Sequence, residues 1–254
     1  MRRSGYLTRM DKSSYHLFLL LPLLLTCGPA PLVTEEEVRV ERSDRDSLRY
    51  VVDGAPRLLL GVDLTSLRVS GEEVPRLVEQ LRQSGGNYLR LLNLPDEQHR
   101  YSGGSVYLDT LARFPVPGVR NARELTEVLL AGQGGANLPV MTPSALNTLR
   151  AVRTIERTMD VTTLVRDDAR LVGDNRVGAL VGSDDLENLL LYMPQAGTVR
   201  VRLGSGYRGP RRVSVIGRLG MRRSEVLLPP YDTVVSLQSN DPEGGWMLIQ
   251  PVRE

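Results

Sequence analysis

The chain has 254 residues, 41% of them apolar and 24% charged. That is one large or two small globular domains at about 100–200 residues each, and it excludes a disordered or polytopic chain. Without the first 26 residues, 28 basic and 29 acidic residues remain; a net charge of −1 leaves no surplus to neutralise phosphates and excludes a general nucleic-acid binder. One cysteine and two histidines exclude a disulfide framework and the usual zinc sites, and no cofactor is expected.

Residues 17–25 read LFLLLPLLL, preceded by Arg2, Arg3, Arg9 and Lys12 and followed by Thr26, Cys27 and Gly28. A charged start, a short apolar run and a small-residue exit form a secretory signal. Nine residues rise about 14 Å as a helix against roughly 30 Å of bilayer core, so the run is too short to span. Leu24-Leu25-Thr26-Cys27 resembles a bacterial lipobox, which implies acylation of Cys27; the alternative is a signal cut further on, for example after Ala30. The expectation is therefore a cell-envelope lipoprotein exported across the inner membrane, touching the membrane through its lipid anchor only. Residues 28–47, rich in Pro, Glu and Arg, read as a tether.

From residue 48 the pattern becomes that of a folded domain. Leu48 to Val52 is a strand that meets Asp53-Gly54, a hairpin signal, and Leu58 to Val62 is a second strand. Residues 72–84 put Leu77, Val78 and Leu81 on one helical face, with Ser70 as cap and Gly85-Gly86 as stop; Asn87 to Leu92 is the next strand. Strand, helix, strand at this spacing is a βαβ unit. Residues 93–119 are broken by Pro and Gly, and only Ser105 to Leu111 reads as regular. Ala122 to Ala131 is a helix, Gly132 to Pro139 a loop, and Thr142-Pro143 caps a helix over 143–159. On that helix Leu146, Leu149, Val152, Ile155 and Met159 make the buried face, and Arg150, Arg153 and Arg157 are expected on the solvated one.

Beyond residue 164 seven short β-runs follow at intervals near ten residues: 177–181, 189–193, 198–203, 212–216, 226–228, 233–237 and 246–249. They predict an antiparallel sandwich. GSGYRG (204–209) fits G-x-G-x-x-G, but Pro210 and another strand follow it. With no helix N-terminus to hold a pyrophosphate, it reads as a glycine-rich hairpin.

DGAPRLLLGVDL (53–64), a helix and GGNYLRL (85–91) resemble the opening of TIM-barrel glycoside hydrolases. ELTEVLLAGQGGANLP followed by SALNTLRAVRTIERTMD resembles the last barrel helices of the same family. Tyr192 to Pro194, Gly197 to Val199 and Trp246 to Leu248 resemble the domain labelled collagen-binding that closes many bacterial proteins of this kind. The resemblance implies that Arg90 ends a barrel strand at the functional end of the fold, where an arginine orients a carboxylate; the alternative is a partly exposed strand residue in a structural ion pair. Yet Leu48 to Met159 is 112 residues, and a closed barrel takes at least about 200. The expected fold is thus α+β: a truncated βαβ barrel remnant over 48–160, then a β-sandwich of about seven strands over 161–254.

Glycosidases need two carboxylates flanking the bond. Asp63, Glu72 and Glu73 are the acids nearest the strand ends, and each reads as solvated or capping, so no catalytic residue is assigned. As sugar-stacking rings the candidates are Tyr207, Tyr231 and Trp246, the last also being the natural core residue of the sandwich. The leading expectation is a non-catalytic carbohydrate-binding or structural accessory protein with a polysaccharide ligand. The alternatives are a compact or oligomer-completed glycoside hydrolase and an envelope assembly protein with no glycan role.

Overall fold

A computed structural model of the chain describes residues 38–42, 48–52, 55–92, 106–109, 114–220, 222–228 and 233–252. The signal, Cys27 and Tyr231 lie outside the described residues. Strands β1 (Val38–Arg42), β2 (Leu48–Val52) and β3 (Ala55–Pro56) form an antiparallel three-stranded sheet. β2 and β3 pair across the expected 53–54 turn, Val52 opposite Ala55. β1 falls inside the stretch read as a tether: VRVER alternates apolar and charged residues, a two-residue period short enough to be lost among the surrounding charges.

The next sheet is parallel throughout. It contains β4 (Leu59–Asp63), β5 (Tyr88–Arg90), β6 (Tyr107–Asp109) and β7 (Gly135–Leu138), in the order β6-β5-β4-β7. Gly61, Tyr88 and Tyr107 share one row with Asn137, and Asp63, Arg90 and Asp109 share the row two residues further on, on the same face. β7 corrects the reading of 132–139 as loop. Gly-Ala-Asn-Leu has little strand propensity by itself, but all four residues are buried, and tertiary context outweighs propensity. Glycine is required on this face: a Cβ on Gly61 would run into the carbonyl of Tyr88, and one on Gly135 into the carbonyl of Leu59.

Three helices cover the other face of this sheet. Helix α1 (Val74–Gln83) buries Val74, Val78 and Leu81. It starts two residues after the expected point, because Ser70 and Glu73 bond to each other ahead of it: the Glu73 carboxylate accepts both the Ser70 N–H and its hydroxyl at 3.0 Å. Helix α2 (Ala122–Leu130) is capped by Asn121, whose side chain accepts the Glu124 N–H. Helix α3 (Pro143–Thr158) is capped by Thr142, which accepts the Ala145 N–H at 3.2 Å. Leu149, Val152, Ile155 and Met159 are buried as their spacing predicts.

Arg153 does not lie on the solvated face. Its side chain is 11% exposed and paired with Glu156. It donates to the carbonyls of Gly85 (2.7 Å) and Leu58 (3.3 Å), while Glu156 accepts the Leu58 N–H at 2.8 Å. The pair ties α3 to the start of β4 and supplies partners for backbone groups that the sheet leaves open. Burial is the main influence on this guanidinium and lowers its pKa.

The C-terminal strands are β8 (Val165–Arg166), β9 (Leu180–Ser183), β10 (Leu189–Met193), β11 (Gly197–Arg202), β12 (Arg211–Gly217), β13 (Arg222–Leu228), β14 (Val234–Ser239) and β15 (Gly245–Pro251). They form a six-stranded antiparallel sheet, β13-β12-β15-β10-β9-β8, and a separate two-stranded ribbon, β11-β14. This six-plus-two arrangement replaces the expected sandwich of about seven strands. Val181, Leu189, Leu191, Val199, Val201, Val213, Val235, Leu237 and Ile249 pack between sheet and ribbon. On its other face the large sheet places Leu190, Tyr192, Ile216, Trp246 and Leu248 in one core with α2, α3 and the parallel sheet. Strand alternation thus gives the central strands two buried faces.

Candidate functional site

In a parallel α/β arrangement the functional end is the carboxyl end of the strands, where the loops gather. Here that end carries Asp63, Arg90 and Asp109 side by side on β4, β5 and β6. Strands lie about 4.8 Å apart, so the two aspartates flank Arg90 from its two neighbours. Arg90 is the last residue of β5, and its guanidinium reaches Asp63 at 3.4 Å, both side chains about a third exposed. Asp63 is held from its own strand end: the Thr65 hydroxyl (2.6 Å) and N–H (3.0 Å) both donate to its Oδ1.

Asp109 is a different kind of acid, and sequence reasoning missed it. It is 1% exposed, and its Oδ2 accepts the Tyr88 hydroxyl at 2.5 Å. The Phe114 N–H approaches the same oxygen at 3.4 Å. Burial, and then this carboxylate, push the Tyr88 hydroxyl pKa up. The available signal was its place in Ser105 to Leu111, the one stretch of 93–119 that reads as regular.

Around this row the concave face is filled. Tyr50, Leu59, Tyr88 and Val116 form a buried cluster joined by Tyr107 and Phe114. Tyr88 stacks on Tyr107 at 6.2 Å, and Phe114 meets Tyr107 edge-on at 5.1 Å and Tyr50 at 5.9 Å. Burial pushes the Tyr50 hydroxyl up to about 12. Its oxygen and Oδ1 of Asn137 are buried with no hydrogen-bond partner among the described residues. The filling comes from the chain itself. Phe114 and Val116 lie on this face, and the following residues reach the far edge of β7, where Asn137 donates to the Pro117 carbonyl (2.8 Å) and accepts the Val119 N–H (2.7 Å) through its own backbone. General acid–base work on a glycosidic bond needs two reachable carboxylates. Of the two described carboxylates on this face, Asp63 is partly open to solvent and Asp109 is buried.

The remaining candidates fall elsewhere. Glu72 is exposed on the approach to α1, and Glu73 is occupied by Ser70, whose hydrogen bonds lower its pKa. Trp246 is not a sugar platform. It is fully buried, tilted against Tyr192 at 5.3 Å, and its indole N–H donates to the Thr126 hydroxyl at 2.9 Å. Its place on a central strand facing α2 leaves no solvent-facing side. Tyr207 is half-buried, its hydroxyl donating to the Val252 carbonyl.

The glycine-rich 204–209 loop that holds Tyr207 is wrapped on Arg211. That guanidinium is 3% exposed and donates to the Glu187 carboxylate (2.9 Å) and to the carbonyls of Glu187 (3.1 Å), Gly204 (3.0 Å) and Tyr207 (3.1 Å). Glycines there let carbonyls close on an arginine and do not cradle a phosphate. No group of three or more His, Cys, Asp or Glu able to hold a metal occurs among the described residues, and no helix among them is long and apolar enough to cross a membrane.

No family model matches the chain, and no curated protein matches it. Solved structures similar to it at low identity are glycoside hydrolases. A glycoside hydrolase family 5 protein from Bacteroides vulgatus shares 12% identity over 51% of this chain and 35% of its own, with a TM-score of 0.42. A second glycoside hydrolase shares 12% over 74% and 50%, TM-score 0.40. A GH30 endoxylanase from Clostridium papyrosolvens shares 7% over 66% and 49%, TM-score 0.36. The chain spans half or less of the length of these structures.

Proposed function

We propose that this chain is a non-catalytic accessory protein of glycoside-hydrolase descent, exported to the cell envelope, anchored through Cys27, and acting as a carbohydrate-binding or structural module. The observation that carries the reading is the parallel sheet. In a closed eight-stranded barrel the last strand returns beside the first. The order β6-β5-β4-β7 puts the last parallel strand beside the first, as across the seam of a barrel whose middle strands are missing. The face that would line the lumen is filled by Tyr50, Tyr88, Val116 and Phe114, and its inner acid is held by Tyr88. A partner chain completing the barrel would have to displace this filling.

The test is incubation of the purified protein with a panel of soluble and insoluble polysaccharides, followed by depletion binding and mass analysis of released oligosaccharides. The reading expects depletion by at least one polysaccharide and no new oligosaccharide. Release that disappears in Asp63→Asn makes the protein a hydrolase. Anchoring is tested separately by metabolic labelling with palmitate, which should be lost in Cys27→Ser.

A further inference from the structure

The β11–β14 ribbon presents one face to the core it shares with the six-stranded sheet and the other to solvent. Thr198, Arg200 and Arg202 are exposed on β11 and Ser236 and Gln238 on β14, in the cross-strand rows Thr198 with Gln238 and Arg200 with Ser236. The two arginines are on the same side of one strand, two residues apart, or roughly 7 Å. Residues 197–223 contain eight arginines and no aspartate or glutamate. Of these, Arg211 is consumed by Glu187 inside the fold, whereas Arg200 and Arg202 pair with no acid among the described residues.

We propose that the outward face of this ribbon is a binding surface for a carboxylate-bearing polysaccharide, with Arg200 and Arg202 as its anchors and Thr198, Ser236 and Gln238 as hydrogen-bonding partners for sugar hydroxyls. This rests on the accessory reading above and gives it a ligand class. A guanidinium offers paired donors that match a carboxylate, and an unpaired arginine has no competing acid to displace. A neutral glycan would call for an exposed aromatic ring. Among the described residues every ring is buried or half-buried, so charge is what the ribbon offers. The face is flat and two strands wide, which suits an extended chain lying across it rather than a single enclosed sugar. The chain's near-balanced overall charge leaves no general polyanion field, so recognition is confined to this patch.

The experiment is affinity electrophoresis of the full chain through gels containing polygalacturonate, dextran or polyadenylate, at two salt concentrations. Polygalacturonate should retard the protein, less so at the higher salt, and dextran should not. Arg200→Ser with Arg202→Ser should weaken retention at least tenfold. Thr198→Glu, which sets a carboxylate beside the anchors, should weaken it as well. Arg176→Ser, which removes an exposed arginine paired with Asp174, should leave it within twofold. Unchanged retention in the double variant, or equal retention by polyadenylate, overturns the inference. Retention by dextran alone also overturns it but leaves the glycan-binding reading standing; retention by none of the three, with no depletion by the wider panel, removes both.

Discussion

Tyr88 and Asp109, on adjacent parallel strands, are joined by a 2.5 Å hydrogen bond in which the phenol donates to a carboxylate that is 1% exposed. The acid at the carboxyl end of β6 is thereby turned inward as a structural acceptor. Tyr88→Phe removes one donor from a buried carboxylate, which costs about 1–3 kcal/mol. Urea denaturation of Tyr88→Phe, Asp109→Asn and the double variant should show strong coupling between the two sites. Independent, additive losses would mean that the bond contributes nothing.

Tyr50 gives an opposite expectation. Its buried hydroxyl has no partner among the described residues, so Tyr50→Phe should leave stability at pH 7 unchanged or raise it by up to about 1 kcal/mol. Burial lifts its pKa from 10.0 to about 12. A raised folded-state pKa gives stability that is complete below the unfolded value and falls as pH rises past it. Stability of the wild type should therefore decline between pH 10 and 12, and less steeply in Tyr50→Phe. Parallel curves for the two proteins would contradict this placement.

Trp246, the single tryptophan, links the last strand to α2 through Thr126. Its fluorescence should be blue-shifted, poorly quenched by iodide and indifferent to any saccharide. Trp246→Phe should cost about 1–3 kcal/mol, from the lost hydrogen bond and the space left behind. A saccharide-dependent shift in emission would restore the ring to the ligand surface.

The Arg153–Glu156 pair joins α3 to the start of β4. Arg153→Ala should destabilise by about 3–5 kcal/mol, because it strands a carboxylate in a mostly buried site. Arg157→Ala, on the exposed side of the same helix, should change stability by less than about 0.5 kcal/mol. Similar losses at the two positions, measured by thermal unfolding, would place Arg153 back in solvent.

The sequence made some of this visible and hid the rest for physical reasons. Thr142-Pro143 announced α3 because cap chemistry is local, and the strands from β9 to β15 were legible because one face of each alternates or both are apolar. β7 was hidden because its residues are small, and only the packing of Tyr88 and Leu59 over Gly61 and Gly135 explains why they must be. Arg153 was hidden because helical periodicity distinguishes faces, whereas its burial depends on backbone groups of Leu58 and Gly85 far away in the chain. At the candidate site Arg90 and Asp63 were legible from their strand ends. Asp109 was not, since its role exists only once three parallel strands put it beside Tyr88.

The central claim is that the concave face of the parallel sheet is a filled core, closed by the chain's own 114–119 segment. Amide hydrogen exchange reads this directly. Tyr88 to Arg90, Val119 and Asn137 should exchange as slowly as the amides of β10 in the middle of the large sheet, and saccharides should not alter their rates. Exchange of these amides within seconds, while β10 stays protected, would show an open cleft and contradict the account.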